Sequence, residues 1–207
     1  MSIVKLNNQA VKNATSFGSI SSLGSMVFIK KLTASSSATL SFVDGSDGVV
    51  LDNSYKEYCF TFNNIHTSVD DADFTMNFST DGGSNYNVTK TSTYFFAYLS
   101  EDNNFQGFRY ETPFDLAQGT GFQTINNGLG ASNDNSCSGF LTLSNPSSTT
   151  FVKHFMAESN SLRNALQIGY HSFVAGYGNT VNPIDAIRFQ MSSGNIDAGD
   201  ICLYGIA

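Results

Sequence analysis

The sequence has no tryptophan, only three prolines and three cysteines, and charged residues at 13%, about half the roughly 25% usual in soluble domains. Cys59, Cys137 and Cys202 are odd in number and widely spaced, so they supply neither a disulfide framework nor a zinc site. Each falls in an apolar stretch where a free thiol acts as a small core group, and synthesis in a reducing cytoplasm fits best. No apolar run approaches the roughly 18 residues that span a bilayer. The first 19 residues lack the apolar centre of a signal peptide, so neither secretion nor, with no bilayer-length run, membrane insertion is expected. Positive charge is scarcest of all. Ten Lys and Arg stand against 17 Asp and Glu, for a net charge of −7, and no basic cluster exceeds Lys30-Lys31. That balance disfavours a nucleic-acid or anionic-membrane partner, because neither would be drawn in electrostatically.

What the chain does have is apolar and aromatic mass: 41% hydrophobic residues, including 18 Phe and nine Tyr. This argues against disorder, and 207 residues suffice for one core. Ser, Thr, Asn and Gly replace the missing charges, a surface suited to a sheet protein in a crowded, repetitive assembly.

From Met26 onward the main signal is alternation with period two, the signature of half-buried strands. Leu40 and Phe42 alternate with Thr39 and Ser41; Tyr58, Phe60 and Phe62 with Glu57, Cys59 and Thr61; Phe74, Met76 and Phe78 with Thr75, Asn77 and Ser79; Ile187, Phe189 and Met191 with Arg188, Gln190 and Ser192. The run Asp200–Ile206 is apolar on both faces, as for a central strand. Turn signals separate the runs: Asp44-Gly45 with Asp47-Gly48 in a first hairpin, Asp81-Gly82-Gly83 as a hairpin loop, Asn145-Pro146-Ser147-Ser148, and Gly194-Asn195 with Asp197-Ala198-Gly199. Helix signals are confined to Glu158–Leu166 and Pro113–Gln118, and Glu101–Asn135 reads as loop-rich. The expected fold is all-β, a jelly-roll-like antiparallel β-sandwich of roughly nine to eleven strands over 26–207, with an extended N-terminal arm over 1–25.

Constellations that carry chemistry are weak. Asp70, Asp71 and Asp73 have hard oxygen ligands for Ca²⁺ but lack the spacing of an EF-hand, so a solvated turn explains them better. His66, His154 and His171 show no metal spacing, and His154, opposite in face to Lys153, reads as a core or interface residue. There is no Gly-x-Ser-x-Gly elbow, no P-loop and no nucleophile motif around a Cys. The sequence therefore points to no catalytic residue, no metal and no cofactor, and to a non-enzymatic protein.

Two features suggest contacts with other chains. Ile3, Val4, Leu6, Phe17 and Leu23 are scattered along the arm without a period, as in a segment that needs a partner surface. Tyr94, Phe96, Tyr98, Phe108 and Tyr110 belong to an aromatic block that alternation cannot bury on one face. The surplus suits a subunit interface, where aromatics are enriched, or a surface that stacks on sugar rings.

Several segments resemble structural proteins of marine tailed phages, cyanophages especially. They are Met1–Ala10 (MSIVKLNNQA), Ser19–Lys31 (SISSLGSMVFIKK), Ala38–Gly45 (ATLSFVDG), Tyr55–Tyr58 (YKEY), Phe60–His66 (FTFNNIH), Asn145–Phe155 (NPSSTTFVKHF) and Ser193–Ile206 (SGNIDAGDICLYGI), which together touch most of the chain. The resemblance implies a virion protein, often tail-fibre-like, with a compact β domain that forms homotrimers. It also implies other virion proteins as partners: major capsid, portal, tail or fibre. It maps no catalytic or receptor-binding residue. Three functions remain open: a fibre or appendage component that meets the host surface, a capsid decoration protein that cements the head, and a lectin-like module that binds host surface glycan.

Overall fold

The computed structural model describes residues 25–163 and 167–207. The arm therefore lies outside the described residues except for Ser25, and with it Ile3, Val4, Leu6, Phe17 and Leu23. The fold is all-β. Thirteen strands, numbered β1 to β13 in chain order, and one 3-10 turn at Thr112–Phe114 form its regular structure among the described residues.

Eight strands make two facing layers. The first has the order β1 (Met26–Thr33), β13 (Ile196–Ile206), β3 (Glu57–Thr67), β9 (Cys137–Ser144); the second has β2 (Leu40–Val43), β12 (Ala186–Met191), β4 (Ala72–Ser79), β8 (Gln123–Leu129). Every neighbouring pair is antiparallel. The chain changes layer from β1 to β2, β2 to β3, β3 to β4, β8 to β9, β9 to β12 and β12 to β13, so most partners within a layer are remote in sequence.

The other five strands come from two insertions. Between β4 and β8 lie β5 (Lys90–Ser100), β6 (Gln106–Tyr110) and β7 (Ala117–Gly119); between β9 and β12 lie β10 (Lys153–Arg163) and β11 (Ile168–Gly178). They extend the first layer beyond β9 in the order β10, β11, β5, with β6 and β7 sharing the far edge of β5. One pairing, Arg163 with Leu129, ties β10 to β8 and joins the layers at a corner.

Alternation fixes which side chains fill the space between the layers. Phe60 and Phe62 from β3 meet Phe42 from β2, Phe74 from β4 and Phe189 from β12, all at most 1% exposed. Phe189 is the hub. Its ring lies 5.4 to 6.3 Å from those of Phe42, Phe60, Phe62 and Phe74. Three of these contacts are edge-on or tilted, as the charge distribution of aromatic rings favours. As its sequence suggests, β13 is central, flanked by β1 and β3, with Ile201, Cys202 and Leu203 all buried.

Four local expectations change. Glu158–Arg163 continues β10 rather than forming a helix, because pairing to β9 and β11 outweighs the weak helix propensity of a short segment. Asp81-Gly82-Gly83 is not a hairpin loop, since β4 and β5 belong to different layers. The Asp81 carboxylate instead ties the crossing loop together, accepting from the Asn85 backbone N–H (2.8 Å) and side chain (2.7 Å). Asp44-Gly45 likewise makes a tight turn out of β2 (Gly45 N–H to Val49 O, 3.0 Å), with β3 paired elsewhere. The stretch 101–135 holds three strands and the 3-10 turn, so its loops are short.

Replacing the hub, Phe189→Ala, is expected to lower unfolding free energy by about 3–5 kcal/mol, read from the urea midpoint. Leu203→Asp, which puts a carboxylate into the buried face of β13, is expected to prevent soluble folding, read from the yield of soluble protein.

Candidate functional site

Three eleven-residue strands, β10, β11 and β5, lie side by side, and what they bury decides what they show. Their inner face rests on β8, whose residues Gln123 to Leu129 are all buried. Several are polar and must find partners there, since an unpaired buried polar group costs about 1–3 kcal/mol. The Tyr94 hydroxyl donates to Asn127 Oδ1 at 2.9 Å and shares a 2.7 Å hydrogen bond with Ser172 Oγ. Asn126 Nδ2 donates to Ser159 Oγ (2.9 Å), and Ser159 Oγ donates to the Ile125 carbonyl (3.2 Å). Gln123 donates through Nε2 to the carbonyls of Phe114 and Thr124 and accepts from Ser92 Oγ. Burial pushes the Tyr94 hydroxyl well above the usual tyrosine pKa.

At the end of the same face, Lys90 is fully buried. Its ammonium donates to Asn77 Oδ1 and to the Val88 carbonyl (2.7 Å), and burial pulls its pKa down to about 7. Asn77 in turn donates to the carbonyls of Tyr86 (2.6 Å) and Thr120 (3.0 Å). The lysine thus pins the start of β5 to β4 and to both flanking loops.

With that parity fixed, the opposite face of β9, β10, β11, β5 and β6 has no layer over it among the described residues. Cross-strand register sets its rows: Phe140, Glu158, Phe173, Phe95 and Tyr110 in one; Thr142, Met156, Ala175 and Thr93 in another; Ser138, Asn160, His171, Ala97 and Phe108 in a third. Phe95 stacks on Phe173 (5.0 Å, 16° between planes), Phe108 leans on Phe95 (5.2 Å), and His171 lies over Phe173 (4.5 Å). The His171 Nε2 meets Glu158 Oε1 at 2.7 Å. Phe108 is 68% exposed, Met156 61%, Leu99 52% and Phe140 40%, so the patch is open rather than merely shallow. Two depressions of about 530 and 550 Å³ flank the ring stack. Thr93, Thr142, Met156 and Ala175 line one, and Ala97, Leu99, Leu162 and Gly169 the other.

The aromatic block is therefore split by parity. Tyr94 and Phe96, expected at an interface, are core residues at 0% and 4% exposure, and Tyr98 sits half-buried on their side, stacked on Tyr170. Phe108 and Tyr110 are exposed on the open face. Sequence reasoning missed Leu99, Phe140, Met156 and Phe173 there. The missed signal is that Tyr94 through Leu99 is apolar at both parities, which leaves Phe95, Ala97 and Leu99 for the outer face.

The polar candidates are occupied by local structure. Asp70 accepts from the Ala131 N–H (2.8 Å) and Asp73 from the Gly128 N–H (2.9 Å), while Asp71 lies 3.6 Å from the Arg163 guanidinium. Burial raises the Asp73 pKa. His66 Nε2 lies 3.1 Å from the Ser132 carbonyl. The expected roles at the start of β10 are reversed: Lys153 is buried, donating to the Phe151 carbonyl at 2.7 Å, and His154 is exposed near Tyr177. The three thiols are free and buried, and burial pushes Cys137 up to about 12, away from the thiolate that reaction requires. Among the described residues no three His, Cys, Asp or Glu side chains are placed to hold a metal ion.

The buried lysine makes a pH prediction. Its folded pKa is depressed, so between about pH 7 and its usual value of 10.5 the unfolded chain binds more protons, and stability rises with pH. Lys90→Met is expected to remove up to about 1.4 kcal/mol of that rise per pH unit. Urea unfolding of both proteins between pH 7 and 9, below the range where buried tyrosines oppose the trend, checks this. Comparison with protein-family models, with curated proteins and with solved structures finds no match in any of the three.

Proposed function

We propose that this chain is a structural protein of a tailed-phage virion, displayed on the particle exterior and acting in a homotrimer as part of a fibre or appendage. The observation that carries the reading is the wide aromatic face of the extended first layer, with few charges and left open among the described residues. Soluble monomers rarely keep apolar patches of that extent, and such patches mark interaction sites. An assembly of many copies puts one to use.

The strand order supports the same reading. With the insertions set aside, β1-β13-β3-β9 facing β2-β12-β4-β8 is consistent with the winding of an eight-stranded jelly roll, two Greek keys folded over each other. That architecture is common in viral shells and lectins. The fold alone does not choose between those functions, because one fold serves many. The open face favours an assembly role: Phe95, Phe108, Phe140, Phe173 and Met156 dominate its exposed surface, and the one Glu on its rows, Glu158, is engaged with His171.

Immunogold labelling of intact virions with antibody against this chain is expected to decorate the outside of the particle. Absence of the chain from purified virions would sink the proposal. Light scattering of the purified protein, with and without residues 1–25, is expected to give a trimer in both cases. A monomer ordered only on capsid would favour the decoration role instead.

A further inference from the structure

We infer that the open face of β9, β10, β11, β5 and β6 is the surface through which the chain binds a second copy of itself. This rests on the reading of the protein as an assembly component and names the surface that the assembly uses. The first argument is area. The three eleven-residue strands, with β9 at eight residues and β6 at five, cover on the order of 700 Å² at about 3.3 Å per residue and about 4.8 Å spacing. That approaches the roughly 800 Å² that each partner contributes to a standard stable interface.

The second argument is charge. At a net charge of −7, two copies repel each other over most of their surfaces. The register places Glu158, His154 and His171 on this face, with Glu101 at its margin beside Leu99, and the Glu158 carboxylate already faces His171 at 2.7 Å. Like surfaces can therefore meet here without opposed charges. A nucleic acid or other polyanion is a poor occupant, since no Lys or Arg lies on these rows.

The third argument is shape and chemistry. Phe108 and Phe140 project from the face, and the hollow lined by Thr93, Thr142, Ala175 and Gly176 lies within it. Each copy thus carries both the projecting ring and a depression able to receive one. Aromatic and Met side chains at the centre, with few charges, match the composition of interface cores.

The test uses the full chain. Sedimentation or light scattering over a concentration series is run on the unaltered protein, on Phe108→Asp with Met156→Asp, and on Phe28→Asp. Phe28 is 57% exposed at the far edge of the same layer, on β1, and serves as the control. The expected result is self-association of the unaltered protein, retained in the Phe28 variant. Each substituted anchor should weaken it by about 30-fold or more, as loss of an interface hot spot does, with an unchanged urea midpoint showing that the fold is intact. A double variant that associates as tightly as the unaltered protein overturns the choice of surface but leaves the assembly reading standing. An unaltered protein that stays monomeric at the highest concentration overturns this inference, while virion labelling separately decides the wider reading.

Discussion

Every residue of β8 from Gln123 to Leu129 is buried, and its amides have no water to turn to. That constraint governs the inserted strands. Tyr94, Ser159 and Ser172 must face β8 to give its side chains partners, although Asn126 Oδ1 goes without one, and once they do, period two sends Phe95, Phe173 and Glu158 to the opposite side. A slip of one residue in β5 would orphan the polar groups of β8 and place Phe95 among them. Polar satisfaction on the inside thus specifies an apolar outside. A purely apolar seam would tolerate such a slip far better, so the Asn and Gln residues of β8 contribute specificity of register more than net stability.

The eight-stranded sandwich and its insertions differ in what holds them. Between the two layers of the sandwich the contact is almost wholly aromatic and aliphatic, centred on Phe189. Under the insertions it is mixed, with Tyr94, Phe114 and Ile125 packed among Ser, Asn and Gln side chains. The insertions also differ in origin. One comes from the crossing between β4 and β8 and the other from the crossing between β9 and β12, yet they share one continuous pairing of β11 with β5 over eleven residues. Neither could stand alone, because each supplies the other's missing edge.

The sandwich strands were legible in the sequence because each is half-buried and writes its burial as alternation: Phe60 and Phe62 against Thr61 and Asn63, or Ile187 and Phe189 against Arg188 and Gln190. The double-sided burial of Ile201 to Leu203 was legible for the same reason. The open face was not, because Tyr94, Phe95 and Phe96 look equally fit for a core. Only the positions of Asn127 and Ser172 decide which of them points inward. Lys153 and His154 misled for a related reason, since a lysine is rarely buried without a carboxylate and here carbonyl oxygens serve. The hairpin reading of Asp81-Gly82-Gly83 failed because a turn sequence specifies a change of direction and says nothing about which layer the chain enters next.

The place of β13 between β1 and β3 has a consequence for how the protein is made. The strands that flank it leave the ribosome early, while its own residues follow some 130 to 170 positions later. At synthesis rates of about 5–20 residues per second, that is a delay on the order of 10–30 s. Through that interval the first layer lacks its middle strand, and Phe60 and Phe62 have only half a sandwich to enter. The nascent chain must be kept from pairing its open strand edges with neighbouring nascent chains, so its synthesis depends on its being kept apart until β13 arrives.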